Sequence, residues 1–240
     1  MIYLRKGRVG GTMRSVLGGL AAMATVMVGA SVARAQATTS VSGQVSIVER
    51  PGETTEDLAN VVVFLEPVGA ASRARSATTN TVIALDKRQF SPRVRVITEG
   101  SRIDFPNQDP FNHNVFSKVN GGFDTQPYGR GKTKNHTFTM AGVYTLYCNV
   151  HPRMTAFVIA LNTPLYTQAG NDGRFSLDSV LPGQYKLHVW HDRATEVVKA
   201  ITVPAHGVRN LREELDARGY KYVQHKNKLG QVYASAGDRY

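Results

Sequence analysis

The chain has 240 residues, 42% apolar and 20% charged, a globular composition with room for a sizeable core, which excludes a disordered chain. Lys and Arg number 29 against 18 Asp and Glu, a formal charge of +11. The one cysteine, Cys148, excludes an internal disulfide framework, a Cys-x-x-Cys redox pair and an all-cysteine metal site; it leaves a buried bystander, a reactive thiol or one ligand of a mixed site.

Arg5, Lys6, Arg8 and Arg14 precede an uncharged apolar stretch over 16–32, which closes in Ala33-Arg34-Ala35. Residues 1–35 therefore read as a secretory signal peptide of the general route, cleaved after Ala35. The alternative is a retained anchor, for which the stretch is short. Cleavage takes five basic residues and no acidic ones, leaving +6. The mature protein is then periplasmic or otherwise exported, with no stable membrane span, in a compartment where a lone free thiol is unusual.

The mature chain reads as all-β. In the N-terminal β segment, 36–82, Val41, Gly43, Val45 and Ile47 alternate, Pro51-Gly52-Glu53 turns, and 61–65 is a β-branched apolar run before a loop over 69–81. Over 83–163, Phe90, Val94 and Val96 resume the alternation, and Ile103 and Phe105 follow a turn at Glu99-Gly100-Ser101. Pro106-Asn107-Gln108-Asp109-Pro110 breaks the strand, and Val115 and Phe116 begin a short one. Residues 128–134 read as loop, and strands are expected over 137–139, 143–147 and 155–161. Over 164–218, Asn171-Asp172-Gly173 makes a hairpin turn, Pro182-Gly183 another, and strands are expected at 185–189 and 197–203. Val208, Leu211 and Leu215 fit either a short helix or a last strand. Residues 219–240 read as a basic, weakly ordered tail. Strands of this length and spacing indicate Greek-key sandwiches, one with a second, smaller sandwich beside it.

Cys148-Asn149-Val150-His151-Pro152-Arg153-Met154 places thiolate, imidazole and thioether at i, i+3 and i+6. It follows an apolar strand, and Pro152 favours a tight loop that can turn all three side chains to one point. Soft sulfur ligands with imidazole suit copper, and two His, one Cys and a weak axial Met make a blue-copper site. The second histidine is best supplied by His113, which opens Asn114-Val115-Phe116. Such a set keeps rearrangement small when one electron moves, and Asn114 is expected to tie the His113 segment to the cysteine loop. The blander alternatives are a buried free thiol, a plain loop histidine, and a Met154 that packs in the core without binding metal.

These residues carry a resemblance. Phe90-Ser91-Pro92, Gly100 with Ile103 and Phe105, Asn107 with Asp109, His113-Asn114-Val115-Phe116, Ala141-Gly142-Val143-Tyr144 and the Cys-x-x-His-x-x-Met spacing resemble a cupredoxin of the plastocyanin and amicyanin type. The resemblance covers roughly residues 90–161. It implies an electron carrier with one type 1 copper, held by His113, Cys148, His151 and Met154, with His151 as electron port. The flanks resemble a different family. Residues 171–177 and 181–187 resemble a carboxypeptidase regulatory-like β-sandwich, and 41–45 with 61–65 resemble its opening strands, so one sandwich would be split around the cupredoxin. The whole layout is similar to exported proteins labelled methylamine-utilisation proteins, a label that does not establish a role in amine oxidation.

His188 and His191 flank Trp190, where a second metal site or an electron relay competes with a structural role. His136, His206 and His225 read as solvated. The basic residues of 73–93 and 209–228 read as ordinary surface, and nucleic acid is not an expected partner. No nucleophilic triad, catalytic carboxylate pair or phosphate-binding glycine loop stands out. The expectation is an exported, non-enzymatic copper protein that passes electrons between a donor and an acceptor protein. The rivals are a copper carrier or storage protein, and a cell-envelope binding module with structural copper.

Overall fold

The computed structural model describes residues 37–69 and 77–233. The signal-peptide reading, most of the 69–81 loop and the last seven residues fall outside that range. In chain order the first strands are β1 (Thr39–Val48), β2 (Val62–Pro67), β3 (Asn80–Val82), β4 (Ala84–Asp86), β5 (Gln89–Ser91) and β6 (Val94–Thr98). Then come β7 (Arg102–Pro106), β8 (Phe116–Ser117), β9 (Phe123–Asp124), β10 (Thr133–Thr137), β11 (Gly142–Tyr147) and β12 (Thr155–Leu161). The last five are β13 (Tyr166–Gln168), β14 (Arg174–Val180), β15 (Gly183–Trp190), β16 (Val197–Val203) and β17 (Val208–Asp216). The one helical element among the described residues is a single 3-10 turn, Leu58–Asn60. The protein is all-β and built of several sheets.

Strand pairing sorts these elements into two groups. Sheets β14-β1-β17 and β13-β2-β15-β16 join the two ends of the chain. Sheets β6-β12-β11-β8-β9 and β10-β7-β3, with the β4-β5 hairpin, use only strands from the middle. Each group encloses its own core. Val41, Val63, Leu65, Leu187 and Leu215 pack together in the first, and Ile83, Phe105, Phe138, Leu146 and Val158 in the second. Full burial of such side chains contributes about 1.5–3 kcal/mol each. A third cluster joins the groups: Val62 and Trp190 pack on Val94, Val96, Ile159 and Leu161.

The turn at Asn171-Asp172-Gly173 shows why one residue type is needed. Gly173 has φ of 76°, and any Cβ there would drive into the Val45 carbonyl on the neighbouring strand.

One open alternative is resolved and two elements differ from the sequence pattern. Residues 208–216 form a strand, parallel to β1 from Val41↔Val208 to Val48↔Asp216 with one register shift; Leu215 and Glu213 are buried there, while Arg209, Arg212 and Glu214 face out. The strand expected over 137–139 instead spans β10 and pairs with β7 from Thr133↔Pro106 to Thr137↔Arg102. It lies at a sheet edge with mostly exposed polar residues, so no apolar alternation marks it. Asn80, at the end of the expected loop, already begins β3 beside β7.

Candidate metal centre

Antiparallel β11 and β12 end opposite each other at Tyr147↔Thr155, and residues 148–154 form the connecting loop. The loop closes on itself: the Cys148 amide donates to the Met154 carbonyl (3.2 Å) and the Met154 amide to the His151 carbonyl (3.0 Å). Apolar residues before the loop carry Cys148 into the core, where its side chain is fully buried. Met154 is also fully buried, among the side chains that enclose Cys148.

His113 arrives from the long loop between β7 and β8. It is pinned to Tyr128 by reciprocal backbone hydrogen bonds of 3.1 and 2.8 Å. Asn107 frames that loop by donating from its amide to the carbonyls of Phe111 and Tyr128, both at 2.9 Å.

The chain thereby brings His113 to the two donors of the cysteine loop, the nearer of which lies 35 residues further along the sequence. The Cys148 sulfur stands 3.5 Å from Nδ1 of His113 and 3.5 Å from Nδ1 of His151. All three donor atoms lie within 4.8 Å of one another. Metal bonds to such donors run about 2.0–2.3 Å, so donors about 3.5–4 Å apart can share one ion. The donor set therefore fits a soft, thiolate-binding metal.

Each ring is prepared for that task. His113 Nε2 donates to Oδ2 of Asp109 at 2.7 Å, so its Nδ1 lone pair is left facing the sulfur. Asp109 also accepts the backbone amides of Lys87 (2.8 Å) and Arg88 (2.9 Å). Burial alone would raise the Asp109 pKa; the Arg88 amide, His113 and the Lys87 amide outweigh it and hold the carboxyl below its usual value. Burial pushes His113 down despite Asp109. It also lowers His151 to about 4, with His113 and Arg88 adding to the shift. Both imidazoles are thus neutral near pH 7. Burial raises the Cys148 thiol, so in the metal-free protein it stays protonated.

Asn114 links the two ligand-bearing loops. Its Oδ1 accepts the Asn149 amide at 2.8 Å and lies 3.9 Å from the Cys148 sulfur, while its Nδ2 donates to Asp124 at 2.9 Å. Among the three donor residues His151 alone is partly exposed, with the Phe111 ring 5.5 Å away.

His188 and His191 do not join this site. His188 stacks on Phe64 at 4.3 Å with its Nδ1 2.8 Å from Glu196. His191 is buried beside Asp57 and Asp192, and its Nδ1 accepts the Arg193 amide at 3.2 Å. That bond puts the ring proton on Nε2, the nitrogen turned toward the carboxylates, so no lone pair faces them. Among the histidines expected to be solvated, His206 is exposed, whereas His136 stacks on Phe123 at 3.8 Å. His225 differs most: its ring lies 4.6 Å from that of Tyr147 and its Nε2 donates to the His151 carbonyl at 3.1 Å. Asp109 could have been found as the carboxylate four residues before His113. Nothing in the basic tail marks His225 in the sequence.

No family profile matches the chain, and no curated protein matches it. Among solved structures, parts of the chain are similar to a purple cupredoxin from Nitrosopumilus maritimus (28% identity, TM-score 0.31, 34% of this chain and 99% of that one). Amicyanin from Paracoccus versutus is similar at 23% identity, with a TM-score of 0.33 over 41% of this chain and 97% of that one. A copper-containing nitrite reductase from Thermus scotoductus is similar at 23% identity and a TM-score of 0.33, over 49% of this chain and 28% of that one. TM-scores of this size carry no weight for function, which rests on the side chains.

Proposed function

We propose that this is an exported type 1 copper protein that carries single electrons between redox proteins. His113, Cys148, His151 and Met154 would hold the copper. The observation that carries this reading is the convergence of one sulfur and two Nδ1 atoms at 3.5 Å. Bound copper would supply a one-electron couple. The chain's own residues hold the donors still, keep both imidazoles neutral and exclude water: Cys148, His113 and Met154 are fully buried. That enclosure disfavours rapid exchange of metal, as a carrier would need. It leaves the partly exposed His151 as the point where electrons enter and leave.

In the same reading, residues 83–163 are the cupredoxin, and 36–82 with 164–218 are one regulatory-like sandwich split around it. The pairing of β1 with β14 and β17, and of β2 with β13 and β15, supports the split, while β3 at Asn80–Val82 pairs with β7 and so moves the first boundary to before Asn80.

The test is to add Cu(II) to the purified mature protein and record its absorption and EPR spectra. The expected result is an intense blue thiolate-to-copper band, a narrow hyperfine splitting and reversible voltammetry. A colourless Cu(II) complex, or no binding, would overturn the reading.

A further inference from the structure

The chain leaves β17, turns near Tyr220, and returns to the cysteine loop. Its contacts fall in opposite order along the two segments. Tyr222 donates to the Pro152 carbonyl at 3.4 Å, and His225 Nε2 to the His151 carbonyl at 3.1 Å. The Lys228 amide then donates to Oδ1 of Asn149 at 2.9 Å, and the Tyr233 hydroxyl to the Cys148 carbonyl at 3.1 Å. As the tail advances from 222 to 233, the loop is read backwards from 152 to 148. The loop's own two hydrogen bonds use the carbonyls of His151 and Met154. The tail takes up those of Cys148 and Pro152 and a second position on that of His151.

Lys228 closes a ring that spans three segments of the chain. Its ammonium pairs with Asp124 at 2.7 Å, Asp124 accepts Asn114, Asn114 accepts the Asn149 amide, and Asn149 accepts the Lys228 amide. The tail thus ties the cysteine loop to the segment beside His113.

Burial of apolar surface does not explain this course. Val223, Leu229 and Val232 are 80%, 75% and 77% exposed. What fixes the tail is a set of polar contacts aimed at the loop, together with the His225 ring between Tyr147 (4.6 Å) and Tyr233 (5.4 Å).

We propose that residues 222–233 are a strap, and that His225, Lys228 and Tyr233 are positioning residues for Cys148 and His151. The inference rests on the copper reading for its purpose but not for its geometry. The strap fixes backbone carbonyls, so it restrains the loop before metal arrives and limits its movement afterwards.

The experiment compares three proteins: the full chain, a chain ended after Tyr220, and a full-length His225→Ala/Tyr233→Phe variant. A chain ended after Tyr233 is the control for the last seven residues. The strap contributes nothing to the core clusters, so each should fold. The first readout is amide hydrogen exchange at 149–151 in the metal-free protein, expected to quicken about tenfold or more without the strap. The second is copper release to a chelator, expected to be about tenfold faster. The double variant should show a smaller change of the same sign in both, and the control none. Unchanged exchange and release in the truncated and doubly substituted proteins would overturn the proposal. A full chain that binds no copper would instead overturn the functional reading, and the exchange measurement would still decide the strap.

Discussion

Among the described residues two clusters of ligand-type side chains stand out, one around Cys148 and one around His191, and they are built in opposite ways. Around Cys148, two imidazoles turn Nδ1 toward one sulfur, and His113 spends its Nε2 proton on Asp109, which leaves its Nδ1 lone pair open. Around His191, the lone pair is spent on the Arg193 amide and the proton faces carboxylates. Charge balance differs as well. Arg193 reaches both Glu49 (2.7 Å) and Asp57 (2.6 Å), and Arg93 reaches Asp192 (2.7 Å), so that cluster already holds its cations. Proximity of ligand-type residues is common to both. What separates a candidate metal centre from an ion-paired strut is which nitrogen is left open, and a hydrogen-bond partner outside the cluster sets that.

The widest separation should come from removing one residue of each. Cys148→Ser should abolish the blue band and collapse copper affinity, because Cys148 is the one thiolate in the chain and the neutral Met154 thioether is a weak donor that gives no thiolate-to-copper band. His191→Asn should leave absorption and EPR spectra unchanged. A shifted copper spectrum in the His191 variant would break the distinction between the clusters.

A smaller effect is expected at Asp109→Asn. The two Asp109 oxygens accept from Lys87, Arg88 and His113. An amide NH2 at either position must face one of these donors. His113 then loses its orientation and the electron density lent to its ring. Copper affinity, followed by competition with a chelator, should fall about 10- to 100-fold. Wild-type affinity would show that His113 is held by its backbone bridge to Tyr128 alone.

The sequence displayed the donors of the first cluster more plainly than its supports. Cys148, His151 and Met154 are legible because one heptapeptide carries them, with Pro152 to favour a tight loop. His113 could be chosen because it opens a strand after a turn-rich loop. Asp109 is legible only in part, since a carboxylate at i−4 in a loop has no fixed direction. The strap was hidden, because the polar, basic composition of 219–233 is what a solvated tail also has. The all-β class follows from alternation, yet β10 was displaced because an exposed edge strand buries too little to show a pattern. The second cluster was ambiguous for a deeper reason. His191 beside Asp192 looks like a ligand pair until the Arg193 amide is known to occupy Nδ1, and that bond depends on the turn the chain makes after β15.

The ion-paired character of the second cluster can be tested by its own energetics. Arg193→Ala leaves Glu49 and Asp57 facing each other without their cation. Breaking a fully buried pair costs roughly 3–5 kcal/mol, and an exposed one under about 1 kcal/mol. Arg193 lies between, with its side chain 17% exposed, so denaturant unfolding near pH 7 should show a loss of about 2 kcal/mol. The Arg193 hydrogen bond holds the Glu49 carboxyl below its usual value. Burial would raise Asp57, but His191 and Arg193 outweigh it and hold that carboxyl down as well. Carboxyls depressed in the folded state bind protons more readily when unfolded, so their contribution is complete above about pH 5 and is lost as the pH falls. Because Arg193→Ala removes much of that depression, the stability gap between wild type and variant should shrink as the pH is lowered from 7 toward 3. A gap that stays constant over this range would mean that Arg193 acts by packing its side chain across the loop, and that its charge contributes little.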